Sequence, residues 1–302
     1  MVSNEILNII LNVMIKSKVH IRESKRIVYD QEVLNMLKEN KIILRYFAIL
    51  SEHKILIGEN ILVEIDREKK RIQKLEIVMG KINVELKSYN SDYTFFKNYQ
   101  HYPDMGDDID ILVINNYNKI EKHLMKKLDI VEKKKSFFHK IAHKKMFVEK
   151  KYGCEIELHN QRLGRVGEFN FGKNKIRELF DKNNNLYLPN LEFQLIINII
   201  QRVYTRSYLR ISEILLFIKI LNRGKYNFKK LEDIADNFGI RMGLSLYIKI
   251  INTLFEENQL KYNSPNKYLI FTNYYFYIKY KYSLPLIFTN LLTNHYYFKD
   301  KK

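Results

Sequence analysis

The run Asp108-Ile109-Asp110-Ile111-Leu112-Val113-Ile114 constrains the fold of this chain more than any other stretch. From Ile111 to Ile114 every position is apolar, so a strand here presents apolar side chains to both faces. Such a strand belongs in the middle of a covered sheet, not at a wet edge. Asp108 and Asp110 stand two apart, so their side chains leave the same face, with Cα atoms about 6–7 Å apart. Two acids at the entrance to a core strand are costly to desolvate unless a cation or protons neutralise them. Their spacing lets both carboxylates reach one divalent cation or a closely spaced pair.

The rest of the chain can supply the covering layers. Its 302 residues are 46% apolar, which argues against disorder and allows two or three structural units. No stretch approaches about 18 uninterrupted apolar residues, so no membrane span or membrane partner is expected. The start, Met1-Val-Ser-Asn-Glu5, lacks the basic and cleavable features of a secretory signal. Cys154 is the only cysteine, which excludes an internal disulfide, and a cytoplasmic location is expected. The net charge of +18 fits a polyanionic partner or a nucleotide's phosphates. It fits equally the lysine-rich composition that AT-rich codons supply, since 39 of the 52 basic residues are Lys.

Periodicity predicts helices over 3–16, 31–39 and 42–51, with alternating segments at Val19–Arg22 and Arg26–Tyr29 between the first two. A long helix starts at Gly58, carried by Ile61, Leu62, Ile65, Ile72, Leu75, Val78 and Met79, and ends near Gly80 and Asn83. Val84–Lys87 reads as a strand closed by Ser88, and a loop of about twenty residues leads to Asp108. Asn115–Asn118 reads as a turn, 119–151 as a lysine-rich helical stretch, and Cys154–His159 as a second alternating strand. From about 171 onward the pattern is mostly helical, clearest over 190–222 and over 229–257 with an interruption at Asn237–Gly239. The expected division is a mainly helical region at 1–57, an α/β core at 58–170 and a helical domain at 171–302.

A third carboxylate joins the pair. On the second strand Glu155, Glu157 and His159 share one face. If that strand lies beside Asp108–Ile114, Glu157 completes a three-acid cluster able to hold two Mg²⁺ or Mn²⁺ ions. Ser88, Asp108-Ile-Asp110-Ile-Leu-Val113 and Glu157-Leu-His159 together resemble the minimal nucleotidyltransferases of the DNA polymerase beta superfamily. The likeness covers about 58–222 and is most specific at 108–113. It implies an α+β fold with a mixed-sheet core, flanked by an N-terminal helical region and an all-helical C-terminal domain. It implies transfer of a nucleoside monophosphate from a nucleoside triphosphate such as ATP to an RNA (for example tRNA), protein or small-molecule acceptor. Asp108, Asp110 and Glu157 would be metal ligands and catalytic groups, and Lys87, Ser88 and Arg210 would contact the nucleotide. The family usually has Gly-Ser or Gly-Gly after its first strand, where this chain has Lys87-Ser88-Tyr89.

Other features carry weaker chemistry. His159 either orients Glu157 or a phosphate, or is a structural histidine. His139 and His143, four apart in a lysine-rich segment, read as solvated. Arg202, Arg206 and Arg210 form one stripe if their helix is continuous, as phosphate contacts or as partners of acids such as Glu192 or Glu213. The 119–151 stretch, with Phe137 and Phe138, is either a nucleic-acid track or a solvated face. The expected function is therefore metal-dependent nucleotidyl transfer, in a cleft between the core and the helical part. A catalytically decayed, nucleic-acid-binding or toxin–antitoxin protein is the alternative, and a metal-dependent nuclease a third reading.

Overall fold

The computed structural model describes residues 4–16, 31–89, 92–98, 101–134, 143–164, 167, 169–170, 180–183, 186–206, 208–222, 228–257 and 277–278. The alternating segments predicted at 19–22 and 26–29, His139, Phe137, Phe138 and most residues after 257 lie outside these residues. The chain divides into two compact units, Met1–Lys69 with Gln201–Lys302, and Lys70–Ile200.

The second unit holds the sheet. Its strands β1 (Tyr93–Phe95), β2 (Asp108–Val113), β3 (Ile130–Glu132), β4 (Lys144–Glu149) and β5 (Glu155–Asn160) run in the order β1-β2-β5-β4-β3. Within this sheet only β2 and β5 pair in parallel; the other neighbours are antiparallel. The architecture is α+β with a five-stranded mixed sheet. Ile109, Ile111, Leu112 and Val113 are all fully buried, so both faces of β2 are covered, as its apolar run requires. A helix over Tyr117–Lys127 leaves β2 after a turn in which Asn116 takes the left-handed conformation at φ 54°. A hairpin, Phe180–Asn183 with Leu186–Pro189, and the helix Leu191–Ile199 follow the sheet.

Three expectations need correction. The long helix does not stop near Gly80 but runs unbroken from Glu59 to Ser88. Gly80 faces solvent, where a Cβ would meet nothing within 4 Å, and Ile82 and Leu86 are fully buried beyond it. Burying those two side chains outweighs the cost of about 1 kcal/mol for a mid-helix glycine. The alternation at 84–87 is therefore part of one helical stripe, not a strand. The first strand of the sheet is Tyr93–Phe95, inside the predicted loop. Finally, among its described residues the lysine-rich stretch is helical only to Lys127; β3 and β4 follow, with Phe147 buried and the nearby Lys144 and Lys145 spent on ion pairs.

Among its described residues the first unit is built mainly of helices, Asn4–Lys16, Gln31–Glu39, Ile43–Glu52, the start of the long helix, Ile211–Asn222, Phe228–Asn237 and Arg241–Glu257, with a two-residue strand pair and most of a π-helical segment. Asn40, fully buried, joins distant parts of it. Its side chain donates to the Met36 carbonyl (2.9 Å) and accepts from the Ile211 N–H (3.0 Å), satisfying a donor that the start of that helix leaves open. The arginine stripe does not form, because the π-helical segment at Ile200–Arg206 and an extended pair at Tyr208–Leu209 break the helix. Arg202 instead grips the buried Glu213, at 2.6 Å through Nε and 2.5 Å through Nη2, and Glu213 Oε2 also accepts from the Arg210 N–H. At Gly243 a Cβ would overlap the Tyr204 ring, so a larger residue there would have to displace that ring. Arg202→Met leaves Glu213 as a buried charge without its guanidinium, and should lower unfolding stability by about 3–5 kcal/mol. Urea unfolding followed by circular dichroism measures this.

Candidate functional site

Register builds the site. Because β2 and β5 pair in parallel with Asp110 opposite Glu157 and Leu112 opposite His159, the acid pair of one strand faces the acid and imidazole of the other. The conditional placement of Glu157 beside the aspartates is thus met. Asn98, fully buried, holds β2 at this point: its side-chain amide donates to the Asp108 carbonyl (2.6 Å) and accepts from the Asp110 N–H (3.1 Å). Asn98 thereby continues the β1 ladder with a side chain and fixes the backbone between the two carboxylates. Arg71 secures the approach, donating to the carbonyls of Gly106 (2.5 Å) and Met105 (2.9 Å).

Asp110, Glu157 and His159 bring one ligand atom each to within 4.8 Å of one another. His159 Nε2 lies 3.2 Å from Asp110 Oδ1 and 3.3 Å from Glu157 Oε2, within reach of both acids. Phe96 stands edge-on to the His159 ring at 4.9 Å. Two lysines enter the cluster. Lys97 bonds Asp110 Oδ1, and Lys144 donates to both oxygens of Glu157 at 2.9 Å. Glu155, on the same face, pairs with Lys133 at a half-exposed position. A surface hollow of about 410 Å³, among Val78, Val84, Lys127 and Glu149, shares no residue with the cluster.

The electrostatics follow from this crowding. Repulsion from Asp110, with burial second, pushes the Asp108 carboxyl up to about 6 despite the counteracting charge of Lys97. Burial opposes ionisation of Glu157, but the hydrogen bond from His159 and the charges of Lys97, His159 and Lys144 outweigh it and hold the group well below the usual carboxylate range. Burial likewise opposes the charge on Lys97, yet Asp110, Asp108 and Glu157 together raise it above an ordinary lysine.

The donor set fits a divalent cation. Two buried carboxylates and an imidazole converge within a ligand sphere's dimensions, and repulsion from Asp110, with burial second, raises the pKa of the third acid. Asp110 and Glu157 are brought together; Asp108, one residue pair further along the strand, interacts with them electrostatically and lies outside the tightest group. Lys87 and Ser88 occupy the last turn of the long helix, where Ser88 Oγ donates to the Glu85 carbonyl. That is the negative end of a helix dipole, not a strand followed by a helix start, so the local ground for a phosphate contact there is absent. Arg210 lies in the other unit, where its backbone N–H bonds Glu213. His143 stands outside any helix, at φ 51°. Sequence reasoning missed Lys97 and Asn98 because it placed the first strand too early. The aromatic, β-branched triplet Tyr93-Thr94-Phe95 just before them was the available signal.

Asp108 binds a proton in the folded protein between its ordinary range and about pH 6, where the unfolded chain has released it. Its contribution to stability therefore falls as pH rises through that window. Asp108→Asn, measured in chelator, should raise the melting temperature by a few degrees at about pH 7.5 and leave it unchanged near about pH 4. Thermal scans of both proteins across that pH range provide the check.

Comparison with known proteins adds little to this geometry. No protein-family model matches the sequence, and no curated protein matches it. A structure of a STING-associated CdnE c-di-GMP synthase from Capnocytophaga granulosa aligns over 99% of this chain and 97% of that one, with 13% identity and a TM-score of 0.30. A likeness that slight assigns neither a fold family nor an activity to this chain.

Proposed function

We propose that this chain is a metal-dependent nucleotidyltransferase, using a nucleoside triphosphate as donor. The observation that carries this reading is the pairing of Asp110 with Glu157 across parallel central strands, with Asp108 on the same strand crowded enough to titrate near 6. Together with the resemblance of the Asp-Ile-Asp strand to the polymerase beta superfamily, it favours phosphoryl transfer, a chemistry that rests on positioning and charge neutralisation.

In this reading Asp108, Asp110 and Glu157 would hold Mg²⁺ or Mn²⁺, with His159 a further donor. Bound divalent ions supply neutralisation of the phosphates and a lowered pKa for the attacking hydroxyl. The chain's own part is rigidity and charge. Asn98 and the β2–β5 ladder fix the carboxylates, and His159, Lys97 and Lys144 together favour the ionised form of Glu157 against its burial. The acceptor oxygen bonds the α-phosphorus, the α–β phosphoanhydride breaks, pyrophosphate leaves, and the hydroxyl proton passes to a carboxylate of the cluster. RNA, protein and small hydroxyl compounds are the acceptor classes to test.

A second reading draws on the ion pairs of Lys97 with Asp110 and Lys144 with Glu157, which go far towards neutralising the acids without a metal. It makes the chain a decayed relative whose remaining property is binding of nucleic acid through its +18 charge.

The test is incubation with each labelled triphosphate, Mg²⁺ or Mn²⁺, and pools of the three acceptor classes. The wild type should transfer label and release pyrophosphate, and Asp110→Asn should lower the rate by roughly 10²–10³-fold or more. Transfer that survives Asp110→Asn would remove this mechanism. Absence of transfer, with salt-dependent RNA binding unchanged by chelator, would favour the second reading.

A further inference from the structure

The turn after β1 places a lysine where its backbone does not want one. Lys97 sits at φ 87°, in the left-handed region that a residue with a Cβ rarely enters. Strain of this kind persists only where surrounding contacts enforce it. Those contacts are visible. Its Nζ bonds Oδ1 of the buried Asp110 and lies 4.7 Å above the centre of the Phe96 ring. Asn98, the next residue, is locked to the β2 backbone at the Asp108 carbonyl and the Asp110 N–H. The ammonium is therefore delivered to the same carboxylate oxygen that His159 approaches at 3.2 Å.

We propose that Lys97 is a tethered cation that competes with a divalent metal for Asp110, so that it sets the affinity of the cluster for metal. This rests on the reading of Asp110, Glu157 and His159 as a metal site. Three features make Lys97 the competitor and not a fixed part of the cluster. Its bond is to a single carboxylate oxygen on a metal-candidate acid, whereas Lys144 spans both oxygens of Glu157. Its side chain is more exposed (24%) than that of Lys144 (18%) and far more than that of its partner (2%). It springs from a turn, where a long unbranched side chain can swing without moving the sheet. In the resting protein the ammonium supplies the positive charge that buried Asp110 needs. A divalent cation arriving at Asp110 meets that like charge and takes its place, and Lys97 is released towards solvent, where it can meet an anion such as a phosphate.

Mn²⁺ binding to the full chain, measured by calorimetry, tests this with thermal unfolding in chelator and in saturating Mn²⁺. Lys97→Gly also relieves the φ strain; Lys97→Met removes the charge and keeps the bulk; Lys97→Arg keeps the charge. Lys97→Gly and Lys97→Met should bind Mn²⁺ at least about tenfold more tightly than wild type, and Lys97→Arg about as weakly as wild type. The metal-induced rise in melting temperature should be larger in Lys97→Met than in wild type, because only the wild type gives up an ion pair on loading. Unchanged or weaker Mn²⁺ binding in a folded Lys97→Met protein overturns the proposal while leaving the metal site intact. Absence of Mn²⁺ binding in the wild type and in all three variants overturns the proposal and the metal-site reading together.

Discussion

Three carboxylates share one end of a covered sheet, and a charge placed there without a partner would cost more than a small core can supply. The structure around β2 and β5 is arranged to meet that constraint. The parallel register brings Asp110 against Glu157, His159 lies between them, and Lys97 and Lys144 arrive from the turn after β1 and from β4. Neither lysine is incidental to the fold. Lys144 is the first residue of β4, and Lys97 is held at a backbone angle suited to glycine. Neutralisation is local, so the acids can be buried together, and Asp108, which shares the repulsion, keeps a proton to higher pH.

The same principle of matched burial organises the helical unit by different means. Glu213 is almost wholly buried and is held by Arg202 and by the backbone of Arg210. Asn40 serves as a tertiary cap for the helix that starts at Ile211. The ion pair takes up Arg202, a group that a sequence reader would offer to phosphate. An arginine near an apolar helix has two uses, and a buried glutamate eleven residues away decides between them.

Asp-x-Asp before an apolar run was legible because it needs no knowledge of the fold: desolvation makes such acids expensive wherever they are placed. The alternation of Cys154–His159 was legible for the same local reason, and Glu157 could be nominated from face-sharing alone. The lysines could not be found this way. Lys97 lies eleven residues before Asp108 in what reads as a loop, and its importance depends on a three-residue strand too short to announce itself. Lys144 looked like one more charge in a basic stretch, because ion pairing lets a lysine occupy a half-buried strand position and blurs the period-2 signal. The false strand at 84–87 arose from the opposite fault: four residues of alternating polarity satisfy both periods, and only the burial of Ile82 and Leu86 on one helical stripe resolves them.

The sequence by itself determined that a buried strand carries two acids on one face, that a second strand carries a third acid and a histidine on one face, and that amphipathic helices flank them along the chain. These are properties of side-chain period and of the cost of burying charge, and they travel with the local chain. Only the tertiary structure decided the parallel register that sets Asp110 against Glu157 and the strand order that brings β4's lysine beside them. It also decided the turn that directs Lys97 inward. Register and strand order depend on long-range pairing, whose free energy is collected from residues scattered over the chain, so no local window contains it.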